Sequence, residues 1–298
     1  MLSRFAPRRM QDAVVRLPIS RLVGSRRRPS PGSDGRLQRP SAGHDPRPSF
    51  SIATSRLHMN RILAALWLLC LSTGALASSF DITSLQLLNQ SEFRQLAQDL
   101  GAAFSYKPLE PADPLGITGF DLGVALTGTT LANTASIQKA ITNGSVYSTL
   151  PQPSVRAVKG LPYNVDVGVM YARVPDSGGL NIYGGELKWA VLPGNTAVPA
   201  VALRAAVTRM DGVSQLGFES ISADVSVSKG FLLATPYAGV GEVWSRSSTD
   251  GLSLQQENLT QGKLFGGVNV NFGLANVDVE ADSTGGIHSY SVKLGFRF

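Results

Sequence analysis

Histidine carries much of the acid–base chemistry of proteins near neutral pH, so the three histidines of the chain are the first candidates for catalysis. His44 and His58 lie in an Arg- and Pro-rich stretch, which leaves His288. Ser289 and Ser291 follow it, and a Ser–His pair would suit a hydrolase acting on membrane lipid. On an extended strand, however, neighbouring side chains point to opposite faces, so His288 and Ser289 would face apart. We therefore predict no catalytic residue and expect His288 to be solvated or to contact lipopolysaccharide phosphate. A lipid-modifying enzyme using His288 stays an alternative.

Carboxylates at every second position are the other candidate for chemistry. Asp278, Glu280 and Asp282 alternate on one strand face, and carboxylate oxygens are ligands that Ca²⁺ prefers. Such residues more often line the polar interior of a barrel. The only cysteine, Cys70, lies in an apolar run expected to be removed, so the mature chain has no thiolate ligand and no disulfide. We predict no metal site and no cofactor.

The basic charge of the chain is confined to its N-terminal part. The formal charge is +6, but residues 1–77 hold 13 of the 27 basic and 3 of the 21 acidic residues. The remainder therefore has 14 basic and 18 acidic side chains, a net charge of −4. Residues 1–58 are rich in Arg, Pro, Ser and Gly without an apolar period, which is typical of disorder. We interpret them as a disordered leader or a misassigned gene start and expect no nucleic-acid partner.

Residues 59–77 have the pattern of a Sec-type signal peptide. Arg61 supplies the positive start, and residues 62–71 form an apolar run that is too short to span a bilayer. Ala75 and Ala77 frame a small-x-small cleavage site before Ser78. The pattern predicts export across the inner membrane, with the mature chain starting at Ser78.

Residues 78–115 contain one helical pattern followed by a Pro-rich stretch. Ser91 is a candidate N-cap, and Gly101 stands where a glycine often ends a helix. We expect this segment to lie in the periplasm and its helix to cap or plug the barrel mouth. The apolar stripe consists of Phe93, Leu96, Ala97 and Leu100.

From residue 116 to 298 the apolar period changes to two. About ten strands alternate apolar and polar residues, and eight to twelve strands are compatible with the pattern. Short connections alternate with longer polar ones, the longest at 129–153 and 245–262, as in barrels with short periplasmic turns and longer outer loops. The pattern predicts an all-β fold, an antiparallel up-and-down transmembrane barrel with both strand ends of the sheet at the periplasmic side.

The composition of the polar face favours a membrane barrel over a soluble sandwich. That face is mostly Gly, Ala, Ser, Asn and Thr, and only 16% of the chain is charged. A closed sheet pairs every backbone group and can therefore cross lipid. Aromatic residues near both strand ends are typical of interfacial girdles. The residues predicted to face the lumen are Asp166, Glu186, Lys188, Arg204, Asp224, Asn269, Asn271, Asp278, Glu280, Lys293 and Arg297.

The last strand carries the most specific motif. Tyr290, Val292, Leu294, Phe296 and Phe298 alternate with polar or small residues, and Phe298 ends the sequence. This run resembles the C-terminal strand of bacterial outer-membrane β-barrel proteins. The resemblance implies a Gram-negative outer-membrane location and recognition by the barrel-assembly machinery and periplasmic chaperones. It also implies contact with outer-membrane lipid and lipopolysaccharide.

The sequence leaves the biochemical role open between two non-enzymatic readings. The first is a narrow pore, or a barrel that contacts lipid or a small ligand. The second is a structural or surface-interaction barrel whose lumen is filled by paired charges. The decisive difference between them is whether the lumen is open.

Overall fold

The computed structural model describes residues 82–141, 146, 148–175, 177 and 179–298. The leader at 1–58, the signal peptide and its cleavage site at Ala75, Ala77 and Ser78 lie outside the described residues, so those predictions stay predictions.

Ten antiparallel strands form one closed barrel in which each strand pairs with its neighbours in sequence and β1 pairs with β10. The predicted fold class is confirmed, including the strand number. The strands are β1 (Phe120–Thr130), β2 (Thr149–Leu161), β3 (Val165–Arg173), β4 (Asn181–Leu192), β5 (Ala200–Asp211), β6 (Leu216–Ser228), β7 (Ala234–Thr249), β8 (Glu257–Phe272), β9 (Ala275–Thr284) and β10 (Ile287–Arg297).

The period of two explains which face of each strand lies outside. On β6, for example, every second residue from Leu216 to Ser228 is buried and those between are exposed. Apolar side chains are stable on the exposed face only where lipid replaces water, because such a continuous apolar belt is costly in water. Exposed apolar residues around the belt include Leu122, Val124, Val155, Val169, Leu187, Leu203, Val207, Ile221, Val225, Val240, Leu264, Val279 and Val292.

The barrel has two distinct ends. We call the end with the connections 162–164, 193–199, 229–233 and 273–274 the turn end; β1 begins there and β10 ends there. We call the opposite end, with the connections 131–148, 174–180, 212–215, 250–256 and 285–286, the loop end. The hairpin at 285–286 is tight, and its two glycines adopt positive φ angles of 60° and 86°, a conformation that side chains with a Cβ disfavour.

Two strand predictions were too short at the loop end. β2 was expected at 154–161 and starts at Thr149, since Pro151 and Pro153 obscure the alternation without preventing a strand. The expected loop at 245–262 shrinks to 250–256, because Ser245 and Ser247 continue β7 on its inner face. The connection 131–148 contains a second helix, α2 (Thr134–Ala140), which the sequence analysis missed.

The helix before the barrel, α1, spans Gln90–Phe104 and differs from the prediction at both ends. Its N-cap is Asn89, not Ser91: the Asn89 side chain accepts the Glu92 N–H at 3.0 Å, and the Glu92 carboxylate accepts the Asn89 N–H at 3.0 Å. Gly101 lies inside the helix. A Cβ there would stand 2.1 Å from Gln261 Oε1, so glycine permits close packing rather than ending the helix. Within the described part of the chain, no helix has the length and apolar character to cross a bilayer.

Candidate functional site

The lumen of the barrel is occupied by the chain's own residues 85–115, which we call the plug. Its helix α1 fills the loop-end half, and it contacts β6, β7, β8, β9 and β10. Phe104 packs edge-to-face on Phe218 of β6 with ring centroids 5.8 Å apart. Burial of this apolar stripe stabilises the position of the helix inside the barrel. The shared apolar core consists of Phe93, Leu96, Leu100, Phe104, Leu131, Ile137, Met170, Ile182, Met210 and Phe218, among others.

Polar contacts fasten α1 to the connections of the loop end. The Asp99 carboxylate accepts the Ala132 N–H at 2.8 Å and the Asn133 N–H at 2.9 Å. At the start of the helix, Arg94 pairs with Glu257 at 2.8 Å. The helix is therefore attached both to the connection 131–148 and to the first residue of β8.

A second tie joins α1 to α2. Lys139 on α2 forms an ion pair with Glu92. The hydrogen bond from Lys139, followed by that from the Asn89 N–H, lowers the pKa of Glu92. The carboxylate thus serves both the helix cap and the loop.

Beyond α1, the plug leaves helical structure and runs down the lumen. Tyr106 donates its hydroxyl to Glu186 Oε1 at 2.8 Å, and the Arg156 guanidinium lies over its ring, 4.6 Å from the centroid. Lys107 forms a buried ion pair with Asp282 at 2.8 Å. Tyr106 and Lys107 of the plug are thus each matched by side chains of the wall.

Glu110 is the centre of the turn-end half. Its carboxylate lies 3.1 Å from Lys188 Nζ and 3.6 Å from Arg204 Nη2. Lys188 also pairs with Asp166 at 3.1 Å, and Arg204 with Glu186 at 3.2 Å. All five side chains are at most 1% exposed. Since one buried charge without partners is very costly, the plug carboxylate and the two wall cations depend on each other.

The wall also supplies hydrogen-bond partners to the plug backbone, which forms no sheet or helix after Phe104. A buried backbone group without a partner is costly, so these contacts account for the extended course of the plug. Wall acceptors are Glu280 for Leu109 N at 2.9 Å, Ser228 Oγ for Ala112 N at 3.1 Å and Asp166 for Leu115 N at 3.2 Å; wall donors are Arg156 to Lys107 O at 2.6 Å, Lys263 to Tyr106 O at 2.6 Å, Lys293 to Leu109 O at 2.8 Å and Lys188 to Pro111 O at 3.0 Å.

The structure buries nine of the eleven residues assigned to the lumen by strand parity. The other two, Asn271 and Arg297, lie on the same inner face near the turn end and are half-buried. Arg297 pairs with Asp121 there at 2.7 Å. The nine are Asp166, Glu186, Lys188, Arg204, Asp224, Asn269, Asp278, Glu280 and Lys293.

Several lumen residues were missed by the sequence analysis. Asp121 pairs with Lys293 at 3.2 Å, and Arg156 and Lys263 contact the plug. Asp121 stands between Phe120 and Leu122 in the sequence, so strand parity could have found it. The helix was expected at a mouth of the barrel, and α1 lies at the loop end.

The histidine and the carboxylate row do not form a reactive centre. His288 is exposed on the outer face, whereas Ser289 is buried and bonds to Thr129 Oγ1 at 3.0 Å inside the barrel. Asp278 pairs with Lys293 at 3.0 Å, and Asp282 with Lys107. Among the described residues there is no cluster of three or more His, Cys, Asp or Glu side chains arranged to hold a metal ion.

Comparisons with known proteins give likeness of architecture only. No family model and no curated protein matches the chain. Solved structures that match include the N-terminal β-barrel domain of Pseudomonas aeruginosa OprF, with 10% identity, 61% of this chain and 99% of that chain covered and a TM-score of 0.29. Neisserial surface protein A matches with 13% identity and a TM-score of 0.25, over 60% of this chain and 94% of that chain. The translocator domain of the autotransporter NalP from Neisseria meningitidis matches with 10% identity and a TM-score of 0.25, over 70% of this chain and 94% of that chain. TM-scores this low carry no argument about this chain.

The architecture itself rests on the closed ladder, the apolar exterior and the polar interior. The fold is that of an outer-membrane β-barrel. Its lumen, where a channel would run, is filled by residues 85–115.

Proposed function

We propose that the protein is a non-enzymatic barrel of the Gram-negative outer membrane, closed by its own plug, that acts as a structural or surface-interaction protein. The observation that carries this proposal is the plug, which occupies the lumen from α1 at the loop end to Leu115 beside Asp166 at the turn end. Of the two roles that the sequence left open, the filled barrel is therefore favoured over the narrow pore.

The charge pattern of the lumen supports closure rather than passage. A channel for polar solutes needs side chains that face water, but both charged residues of the plug between 105 and 112 pair with wall residues. Lys107 and Glu110 are 3% and 1% exposed, respectively. Opening the lumen would expose these pairs and separate them at once, which makes a spontaneous open state costly.

The outer surface supports a membrane location with the assembly partners named above. The apolar belt would contact outer-membrane lipid, and the exposed His288 near the loop end would contact lipopolysaccharide. The alternating run that ends on Phe298 is the candidate signal for the barrel-assembly machinery, after Sec-type export and periplasmic chaperones.

Planar-bilayer recording on the refolded mature chain, residues 78–298, tests the closed lumen. We expect no steady conductance from this chain and a measurable conductance after deletion of residues 85–115, because only removal of the whole plug clears both halves of the lumen. Both proteins must first show the same heat-dependent gel mobility, which reports a folded barrel. A steady open conductance of the intact chain would contradict the proposal.

A further inference from the structure

We infer that the barrel presents the amino-terminal side of its plug, residues 82–90, at the cell surface and not in the periplasm. The inference rests on the proposed outer-membrane location and concerns the direction in which the plug crosses the lumen. The start of β1 and the end of β10 both lie at the turn end. The plug crosses the lumen once more before β1 begins. The amino-terminal side of the plug and Phe298 therefore lie on opposite sides of the membrane.

The first described residues are fixed to the loop end. Ile82 forms an antiparallel bridge with Ile141, and the N–H groups of Thr83 and Ser84 donate to the Ala140 carbonyl at 3.1 and 3.0 Å. Ala140 ends α2 in the connection 131–148, which is the longest connection of the barrel. The entry to the plug is thus attached to the main outer loop.

The start of α1 is also tied to a second loop of the same end. Gln90 Nε2 donates to the Gln255 carbonyl at 3.1 Å, and Gln90 Oε1 accepts the Gln255 N–H at 2.8 Å. This reciprocal pair links the helix start to the connection 250–256. Two separate loops therefore place the amino-terminal end of the plug at the loop end.

The exit of the plug lies at the opposite end. Leu115 donates its N–H to Asp166, the second residue of β3 from the turn end, and Gly119 accepts the Gly160 N–H at 3.1 Å just before β1 begins. Between Phe104 and Phe120 the chain has fifteen residues, which can extend over roughly 50 Å. This exceeds the bilayer core of about 30 Å, so an extended chain can cross the lumen in one pass.

The orientation follows from the connections. Outer-membrane barrels have their short turns in the periplasm and their longer loops outside. The loop end of this barrel therefore faces outside, and with it residues 82–90. We expected the helical segment in the periplasm; the direction of the plug favours the surface instead.

Single cysteines labelled with a membrane-impermeant maleimide on whole cells test the inference. The predicted mature chain has no cysteine, so Leu87→Cys, at an exposed position beside α1, gives one reactive thiol. Gln86→Cys is a second probe of the same segment. Ser253→Cys in the connection 250–256 marks the loop end, and Thr196→Cys in the connection 193–199 marks the turn end. We expect Leu87→Cys and Ser253→Cys to be labelled on intact cells. Thr196→Cys should be labelled only after the outer membrane is opened.

The outcomes separate this inference from the proposed function. If Ser253→Cys is labelled on intact cells and neither Leu87→Cys nor Gln86→Cys is, the inference is wrong and the outer-membrane barrel stands. If only Thr196→Cys is labelled, the barrel lies the other way round and the inference is again wrong. If all four react only after the outer membrane is opened, the proposed location fails and the inference fails with it.

Discussion

At the scale of single residues, Glu110 is the side chain on which the position of the plug most depends. Its carboxylate forms ion pairs with both Lys188 and Arg204 in a buried site. Glu110→Gln keeps the shape and removes the charge, which leaves two buried cations with one fewer carboxylate beside them. Loss of one partner from a buried pair costs about 3–5 kcal/mol. We expect the midpoint of urea unfolding of the mature barrel in detergent to fall accordingly.

The matched control for this variant is Glu219→Gln. Glu219 pairs with Arg246 at 3.2 Å on the outer face, and both side chains are more than half exposed. Exposed pairs contribute about 0–1 kcal/mol, so the control midpoint should hardly move. Equal shifts for the two variants would mean that Glu110 does not hold the plug.

At the residue scale, strand parity assigns a face only where the alternation is regular. Asp166 and Lys188 lie within regular alternation, and the inner face could be read directly. Lys263 follows the expected loop 245–262 and was therefore not assigned to a strand. Glu110 lies in a Pro-rich stretch without any period, so no sequence pattern indicates that it enters the lumen.

At the scale of elements, the position of α1 against β7 can be tested by a disulfide. A Cβ at Gly101 would lie 3.1 Å from Ser245 Oγ, so a side chain at position 245 reaches a side chain at position 101, as a disulfide requires. The Gln261 side chain must move aside, and its flexible end allows this. We expect Gly101→Cys with Ser245→Cys to form a bond on oxidation of the folded mature chain, seen as a mobility shift in a non-reducing gel.

The control pair for this bond is Gly101→Cys with Thr196→Cys. Thr196 lies at the turn end, away from α1, so this pair should remain reduced. If both pairs cross-link equally, or neither does, α1 does not occupy the place described here.

The elements illustrate why local patterns identify a helix more easily than its ends. The apolar stripe of α1 was correct because it repeats every three or four residues. The cap was assigned to Ser91 although Asn89 and Glu92 form the reciprocal bonds, since Ser, Asn and Asp are almost equivalent caps by type. Gly101 was taken as a terminator because the sequence does not show that Gln261 will pack against it.

At the scale of the whole molecule, the sequence predicts the strands of the barrel but not the course of residues 105–115 through its lumen. Alternation determines strand number, direction and faces, since each of these follows from one strand and its neighbours. The course of residues 105–115 is determined instead by partners from β2, β3, β4, β8, β9 and β10 together. Such contacts exist only once the barrel is closed, so an eleven-residue stretch without a period carries no trace of them.

The closing seam of the barrel gives the last prediction. Phe298 and Phe120 exchange two backbone hydrogen bonds, at 2.6 and 3.0 Å, and their rings stack with centroids 6.0 Å apart. Deletion of Phe298 removes this last step of the β1–β10 ladder together with the candidate assembly signal. We expect a large fall in outer-membrane levels in cells, measured by fractionation, because a machinery that reads the terminal aromatic would no longer recognise the chain.

Phe120→Ala distinguishes assembly from stability. It removes the stacking partner but keeps both backbone hydrogen bonds and leaves the C-terminal strand unchanged, so in detergent it should weaken the folded barrel less than the deletion does. The deletion also loses the two backbone hydrogen bonds, which contribute roughly 1–3 kcal/mol. In cells, Phe120→Ala should retain most of the wild-type level whereas the deletion should not. If both variants reach the membrane equally, Phe298 acts through the seam and not through recognition.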